Sequence, residues 1–391
     1  MRVRILKTLD AIAPERWNSL DLGGCPFVRH EFLGLLERER CACPDTGWTP
    51  QHLAVEDDAG VLLGALPLYL KPHSWGEFVF DWGWANAYSR AGLEYYPKLV
   101  SAIPFTPATG PRLLCAPGSD VAAVRETLIS GALALAAELD VSSLHVLFPP
   151  EAEQSALVNR GFIPRRDCQF HWHNRGFADF DAFLAGFRAD KRKKANRERR
   201  RIAEAGIEFR TLGGAEIDAE LWDIIHGFSL NTFRRHGHDH YLTAAFFKRL
   251  AQVLPGMIMV KLAIYRSRPV AAAIFFVGAD TLYGRYWGAA ADFDSLHFEA
   301  CYYQGIEYCI ERGLARFEPG TQGEHKVPRG FEPSPTCSAH WVADARFASA
   351  IAAHLRQEGI AVDEYMAGIR DHLPFRRAEG APADPDDLEP R

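Results

Sequence analysis

One order of predicted helices and strands occurs twice along this chain of 391 residues, and that repeat constrains the fold most. Short apolar segments bounded by turn residues predict the strands, and apolar residues at helical spacing predict the helices. The first half contains strand 3–8, helices 14–20 and 27–40, hairpin strands 52–56 and 61–70, helix 121–139, strand 143–148, a short helix ending at 159, and strand 166–172. The second half contains helix 180–205, strand 207–211, helices 215–235 and 243–254, strands 258–265, 269–278 and 281–289, helix 297–312, and strand 315–318.

The repeat predicts an α+β (α/β mixed) fold in which each half is a mostly antiparallel twisted sheet flanked by helices. The chain is about twice the length of an ordinary domain, which fits two copies of one architecture. We expect domains at 1–175 and 176–375, and a disordered tail at 376–391 because that segment is acidic and rich in Pro. Segment 73–109 has many Gly and Pro residues, so loops and short strands are expected there.

The composition excludes several classes of protein. With 48% hydrophobic and 24% charged residues, the chain is too apolar for a disordered protein. The longest apolar stretches, 61–70 and 269–277, are far shorter than the roughly 18 residues of a membrane-spanning helix. The first twenty residues lack the apolar core of a signal peptide, so we expect a cytoplasmic protein. The eight Cys include no CxxC pair, which argues against disulfides.

A basic run interrupts an otherwise acidic chain. Residues 188–201 contain nine Lys or Arg against Asp190 and Glu198, a net charge of +7, whereas the whole chain carries −6. On a helix these cations form either a solvated face or a surface for an anion, such as a polyphosphate, a tRNA or a lipid headgroup. Peripheral contact with a membrane surface therefore also stays open.

Two blocks of the second half are similar to the Fem-type aminoacyltransferases: LYGRYWGAA and HFEACYYQGIEYCIERGLARFEPG. In that family a helix of a GNAT-like domain ends in Gly, and a strand ending in an acidic residue and Gly follows, as Gly313 and Glu318 do here. The basic helix, with Lys193, Lys194 and Arg197, resembles the Arg- and Lys-containing helix that leads into the family's second domain. By this resemblance the three cations bind the phosphates of the carrier.

Longer blocks between about residues 10 and 375 resemble a family of predicted N-acyltransferases associated with peptidoglycan biosynthesis or recognition. These blocks are LPLYLKPHSWGEFVFDWGWANAY, YYPKLVSAIPFTPATGPRLL, QFHWHN, FRRHGHDHYLT and FEPGTQGEHKVPRGFEPSPTCSAHW. The resemblance implies tandem GNAT-like domains that transfer an acyl or aminoacyl group from acyl-CoA or aminoacyl-tRNA to an amine. A small molecule, a peptide or a cell-wall precursor is a candidate acceptor.

The candidate catalytic residues follow the last predicted strand of the second half. Acyl transfer to an amine needs a base for the amine proton and donors for the developing oxyanion. Glu318 ends that strand, and His325, Lys326 and Arg329 follow in a segment with too many Gly and Pro for regular structure. If the Fem resemblance holds, Lys326 contacts the reacting carbonyl or phosphate and His325 or Glu318 is the base. Without the resemblance, a solvated loop with a capping carboxylate is the simpler interpretation.

The candidate substrate-binding residues come from both halves. Aromatic rings beside one carboxylate suit a groove for a peptide or a sugar between the domains, although such rings are more often core residues. The first-half candidates are Asp81, Trp82, Trp84, Asn86 and Tyr88. The second-half candidates are His238, Arg285, Glu299 and Arg329. For Glu299, the positive end of a helix dipole is a sufficient alternative explanation.

Alternating histidines raise the question of a metal site. His171 and His173, and likewise His236, His238 and His240, would share one face of a strand. No Cys or carboxylate lies at a characteristic ligand spacing from either set, so we expect no metal.

The sequence does not determine the acyl donor, and it does not determine whether the protein is an enzyme. Acetyl-CoA enzymes of the GNAT fold open a helix with a complete Gly-rich phosphate loop, which segments 109–112 and 117–119 only approximate. Fem-type enzymes also lack a complete loop. The alternative function is a non-catalytic module that binds a peptidoglycan precursor or an anionic polymer. The acyl group, the acceptor and the oligomeric state are not determined by the sequence.

Overall fold

The computed structural model describes residues 1–291, 293–321 and 323–376, so the predicted tail lies outside the described residues except for its first residue. The strands are β1 (Arg2–Leu6), β2 (Thr49–Pro50), β3 (His52–Glu56), β4 (Leu62–Leu66), β5 (Tyr69–Lys71), β6 (Lys98–Ser101), β7 (Leu114–Cys115), β8 (Ser143–Leu147), β9 (Ile163–His173), β10 (Ile207–Gly213), β11 (Ile258–Tyr265), β12 (Arg268–Val277), β13 (Thr281–Ala289), β14 (Arg316–Glu318) and β15 (Glu332–Val342).

The α-helices are α1 (Pro14–Asn18), α2 (His30–Arg38), α3 (Trp82–Arg90), α4 (Val121–Glu138), α5 (Glu151–Val158), α6 (Phe180–Ala185), α7 (Ala189–Glu204), α8 (Ala219–Arg235), α9 (Ala244–Val253), α10 (Leu296–Phe298), α11 (Gln304–Arg312) and α12 (Ala345–Asp371). A π-helical turn, Glu299–Tyr303, lies between α10 and α11, and Glu324–Arg329 forms a 3-10 helix. Among the described helices, none is both long and apolar enough to cross a membrane.

Eleven strands form one sheet that runs through both halves, in the order β10-β11-β12-β13-β14-β9-β15-β8-β6-β5-β2. A second sheet has the order β1-β3-β4-β7. Most neighbouring strands are antiparallel, and the pairs β13–β14 and β6–β8 are parallel. The mostly antiparallel α+β arrangement expected from the sequence is therefore present.

The 3-10 helix Glu324–Arg329 corrects the expectation that the segment with His325, Lys326 and Arg329 lacks regular structure, and strand β15 after it was not predicted. Strand β15 lies between β9 and β8, so a strand from the second half completes the sheet of the first half. Pro333 and Pro335 suggested an irregular segment, but β8 pairs only with the stretch from Ser338 to Val342. Because the two prolines are two residues apart, their backbone nitrogens face the same edge of β15. This edge is the one that β8 leaves unpaired, so the missing N–H groups break no hydrogen bond of the sheet. The domain boundary near residue 175 stays a prediction.

Three helices also differ from the expectation. Helix α3 lies in a segment expected to hold only loops and short strands. Its residues Ala85 and Ala87 favour a helix, although Gly83 lies in its first turn. The expected single helix 180–205 is two helices, because α6 ends at Gly186 and the chain turns before α7 begins. Helix α12 is not among the predicted elements, and it packs across β9 and β15.

Close packing of α8 on β13 fixes the sheet around the site described below. Gly288 permits this approach, because a Cβ at that position would lie 2.0 Å from the backbone of Phe228. On the other face of the sheet, Phe317 of β14 packs among buried aromatic residues that include Phe275 and Phe331. Phe317 and Glu318 alternate along β14, so Glu318 faces away from this cluster.

Candidate active site

The strands β13 and β14 separate at the residues expected to be catalytic. They pair in parallel only from Thr281 with Arg316 to Tyr283 with Glu318, after which β13 continues and β14 ends. The chain then turns through Gly320, whose φ of 101° favours glycine. The carbonyl of Gly320 accepts a hydrogen bond from Nζ of Lys326 at 2.6 Å. We call this point of separation the strand split.

Lys326 is a buried ammonium at the strand split. Its side chain belongs to the 3-10 helix Glu324–Arg329, and the residue is 2% exposed. Burial, together with the smaller effect of the positive charge of Arg285, lowers the pKa of Lys326 to about 7. Near neutral pH this amine therefore exists in both its charged and its neutral form.

Glu318 is a buried carboxylate at the end of β14, and the residue is 1% exposed. Burial raises the pKa of Glu318 to about 6, against the opposing effect of Arg285 and Arg316. Nε of Arg316 lies 3.3 Å from one carboxylate oxygen, and the backbone N–H of Thr109 also approaches the carboxylate. Within the described residues neither contact has the geometry of a full hydrogen bond. A buried carboxylate of this kind can accept a proton near neutral pH.

Arg285 is electrostatically coupled to both groups. Its Nη1 donates to the carbonyl of Gly284 at 2.9 Å and to that of Glu318 at 3.4 Å. Nε and Nη2 of Arg285 are buried and have no partner in the part of the chain that the structure describes. These two donors are free to bind an anionic or carbonyl oxygen.

His325 lies on the same 3-10 helix as Lys326 but points into a different cluster. Its Nε2 is 2.7 Å from the hydroxyl of Tyr302, and its ring lies beside His297 and Phe298. Burial lowers the pKa of His325, and Lys326 and Arg329 lower it further. The charge of Arg285 shifts the pKa of Glu318 and that of Lys326, but it is not among the causes of the shift at His325. Of the two expected bases, Glu318 is therefore the one associated with Arg285.

Two of the expected substrate-binding residues are occupied by protein contacts. Arg329 is buried, and its guanidinium donates to both carboxylate oxygens of Glu198 and stacks on the ring of Phe298. Glu299 accepts from Arg199 at 3.2 Å and from Gln304 at 2.8 Å. These contacts assign structural roles to both side chains.

The basic helix α7 presents one exposed row of cations. Lys193, Lys194 and Arg197 are exposed, whereas Arg199 forms ion pairs with Glu299 and Glu307. We call the three exposed residues the basic strip. Helix α7 packs against the 3-10 helix that carries Lys326, so the basic strip and the strand split belong to neighbouring elements.

A cavity of about 920 Å³ opens between segments of the two halves, and we call it the aromatic cavity. Its lining residues are Ser74, Trp75, Gly76, Phe78, Phe80, Trp82, Phe148, Asp167, Cys168, Gln169, Thr232, Phe233, His236, His238, Tyr241, Thr321 and Thr336. Its volume is within the range of small-molecule sites. Trp82 and His238, both expected to bind substrate, line it. Thr321 brings the cavity to the residue after Gly320.

The other first-half candidates lie outside the aromatic cavity. Trp84 and Tyr88 are buried in a small core cluster against Ile351 and Leu355 of α12. Asn86 is exposed on α3. Six of the fifteen missed lining residues are aromatic, and for the three that lie between 73 and 82 the density of aromatic residues there was the available signal.

Asp81 belongs to a buried network of charges behind the cavity wall. Nζ of Lys98 donates to Ser74 at 2.7 Å, to Glu77 at 2.8 Å and to Asp81. Nζ of Lys71 donates to the carbonyl of Trp75 at 3.1 Å. Burial raises the pKa of Glu77 to about 7. One carboxylate oxygen of Asp81 thus pairs with Lys98, which helps to hold the wall in place.

The histidines do not form a metal site among the described residues, which contain no cluster of three or more His, Cys, Asp or Glu suited to a metal ion. His171 is buried with its Nε2 3.1 Å from Gln169, and His240 lies 2.7 Å from the hydroxyl of Ser229.

The two approximate phosphate loops, 109–112 and 117–119, meet at one groove of about 600 Å³. Arg125 and Arg316 line this groove, but so do Glu153 and Asp280, which oppose an anionic ligand.

Comparison with known proteins identifies the family. A model of a FemAB-like family, described as peptidoglycan biosynthesis/recognition, matches residues 8–377. No curated protein matches the chain. In fold, the chain resembles FemX at 11% identity and a TM-score of 0.53, over 90% of this chain and 100% of that chain. It also resembles the C-terminal domain of a putative lysylphosphatidylglycerol synthetase from Agrobacterium fabrum, at 10% identity and a TM-score of 0.50, over 76% of this chain and 86% of that chain.

A tandem GNAT protein from the clavulanic acid biosynthesis pathway aligns with a TM-score of 0.45 at 13% identity, over 88% of this chain and 98% of that chain. Identities this low compare folds only, and the likeness to FemX confirms the expected fold class. Because the family model spans nearly the whole chain, the protein belongs to the FemAB-like family.

Proposed function

We propose that this protein transfers an acyl or aminoacyl group from a carrier to an amine, with the reaction at the strand split. The observation that carries the proposal is Lys326, a buried ammonium with a pKa of about 7 that lies beside an arginine with unused donors. Tuned groups of this kind are typical of active sites. The family membership supports the same class of reaction.

Glu318 and Lys326, the two groups with shifted pKa values, have different roles in the proposed reaction. As the amine nitrogen attacks the carbonyl carbon, its excess proton passes to the carboxylate of Glu318. Lys326 and Arg285 donate hydrogen bonds to the oxyanion that develops on the carbonyl. The bond between the carbonyl carbon and the carrier then breaks, and the leaving sulfur or oxygen of the carrier takes up the proton. Acyl-CoA and aminoacyl-tRNA both fit this scheme.

The basic strip supports an anionic carrier. Lys193, Lys194 and Arg197 are exposed cations on the helix next to the one that carries Lys326. Both candidate carriers bear phosphates, which such a row attracts. For the acceptor, we propose an amine of a peptidoglycan precursor, in line with the family description, in the cytoplasm.

The test is transfer by the purified full chain. Release of free thiol from a panel of acyl-CoAs and loss of amino acid from charged tRNA are measured for the wild type, for Lys326→Ala, and for Lys261→Ala. Lys261 is a matched control because it is also a buried lysine of the second half, on β11. We expect transfer from one donor class, a loss of about 100-fold or more in Lys326→Ala, and nearly wild-type transfer in Lys261→Ala.

The alternative function predicts a different result. A non-catalytic binding module would release no thiol and transfer no amino acid, and Lys326→Ala would alter only ligand affinity. Absence of transfer from every donor in both panels would contradict the proposed function.

A further inference from the structure

The lining of the aromatic cavity carries few charged side chains. Among its described lining residues seven are aromatic, none is Lys or Arg, and Asp167 is the single carboxylate. A phosphate or a carboxylate placed here would be desolvated without a cation from the lining to compensate it. The lining instead suits an apolar group or a cation, because aromatic faces attract positive charge.

The rim of the cavity leaves large rings in contact with water. Trp75, Phe80 and Trp82 are 53%, 64% and 37% exposed. The rings of Trp75 and Trp82 meet edge to face at 5.5 Å, and His238 lies 5.7 Å from Trp75. A cluster of exposed aromatic rings at the mouth of a cavity is typical of a binding site.

The wall that carries these rings is fixed before any ligand arrives. Lys98 holds Ser74, Glu77 and Asp81 from behind, and Lys71 holds the carbonyl of Trp75. The buried polar residues of this wall thus alternate with aromatic residues that face the cavity. Such preorganisation reduces the entropy cost of binding.

We propose that the aromatic cavity binds a hydrophobic amine in its cationic form, with its apolar body among the rings and its ammonium near Asp167 and the faces of Trp75 and Trp82. This inference concerns the part of the acceptor that carries the amine, which must be apolar and free of phosphate, and it rests on the proposed function only for the fate of the amine. Thr321 connects the cavity to the strand split, where the amine would react after its ammonium has lost one proton to water.

The test compares three ligands of similar shape and different charge. Isothermal titration of the full chain at pH 7.5 measures phenethylamine (cation), 2-phenylethanol (neutral) and 3-phenylpropionate (anion). We expect phenethylamine to bind at least about tenfold more tightly than 3-phenylpropionate. Trp82→Ala should weaken phenethylamine about five- to thirtyfold, and Asp167→Asn about two- to fivefold.

A matched control is Asp21→Asn, which removes an exposed carboxylate at a different groove and should leave all three affinities unchanged. Equal or tighter binding of 3-phenylpropionate would overturn the inference and assign the cavity to an anion near His236 and His238. The inference would also be overturned if phenethylamine bound and neither Trp82→Ala nor Asp167→Asn weakened its binding.

The outcomes also separate the two proposals. If phenethylamine does not bind but the protein acylates a phosphate-bearing amine, the inference fails and the proposed function stands. If phenethylamine binds as expected but no donor is consumed, the proposed function fails and the cavity assignment stands.

Discussion

Both carboxylate oxygens of Glu198 accept hydrogen bonds from the guanidinium of Arg329, at 2.7 and 3.1 Å. The hydroxyl of Tyr303 donates to the same carboxylate at 2.7 Å. Glu198 lies on the buried face of α7, and Arg329 ends the 3-10 helix that carries Lys326. The helix with the basic strip is thereby joined to the proposed catalytic lysine through one buried ion pair.

The first prediction concerns this ion pair. Glu198→Gln leaves the buried charge of Arg329 without its partner, which should reduce the free energy of unfolding by about 3 kcal/mol. It should also lower kcat more than it raises KM, because the turn that positions Lys326 loses its support. Urea unfolding and steady-state kinetics measure the two effects. Glu204→Gln, at an exposed position of the same helix, should change stability by less than about 0.5 kcal/mol; equal effects of the two variants would contradict the assignment.

The second prediction concerns the basic strip. Replacing Lys193, Lys194 and Arg197 together by Gln should raise KM for the carrier about tenfold at low salt, because three exposed cations no longer attract its phosphates. The effect should diminish as added salt screens the charges. The control replaces three exposed arginines elsewhere, Arg2, Arg90 and Arg249, by Gln and so changes the net charge equally. The same rise in KM in both triple variants would refute carrier binding by α7.

The third prediction separates function from stability at Glu318. Its folded pKa of about 6 lies above the ordinary value of 4.5, so the wild type loses stability as pH rises from about 4.5 to about 6 and stays lower above that range. Glu318→Gln removes this loss and should stabilise the protein by about 1 to 2 kcal/mol at pH 8, while transfer activity falls.

Thermal unfolding at pH 4 and pH 8, together with the transfer assay, measures both changes. Glu208→Gln, at an exposed position of β10, should leave stability and activity unchanged. A Glu318→Gln protein that is less stable at pH 8 and fully active would show that Glu318 has only a structural role.

The fourth prediction concerns the wall of the aromatic cavity. Lys98→Met leaves Glu77 and Asp81 buried without the ammonium that binds both, so the free energy of unfolding should fall by about 3 to 5 kcal/mol. The affinity for phenethylamine should fall as well, because the wall is no longer fixed. Adding Asp81→Asn removes the carboxylate that has lost its ammonium partner and should recover part of the stability. No recovery in the double variant would mean that the network does not act through charge pairing.

The fold was predictable from the sequence where periodicity is local. The apolar runs of β11 and β12, and the turns that separate β11, β12 and β13, place these strands within one residue of the structure. Strand β15 was missed because Pro333 and Pro335 are acceptable only when one edge of the strand is unpaired, and that depends on where β8 ends.

The site was predictable only in part, because many of its contacts join residues that are far apart in the sequence. Glu318 and Lys326 are eight residues apart and belong to one recognisable block. Arg329 was expected to bind substrate, and its ion pair was missed because its partner, Glu198, is 131 residues away in the sequence. Similarly, no local pattern indicates that Lys98 binds Asp81 or that Phe233 and Tyr241 complete the aromatic cavity.

The most direct test of the account is the pH dependence of kcat at saturating substrates in the wild type and in Lys326→Arg. Glu318 must be ionised and Lys326 protonated, so kcat should rise through about pH 6 and fall above about pH 7. Arginine stays protonated at these pH values, so the residual activity of Lys326→Arg should keep the acidic limb and lose the alkaline one. An alkaline limb that persists unchanged in Lys326→Arg would contradict the role assigned to Lys326.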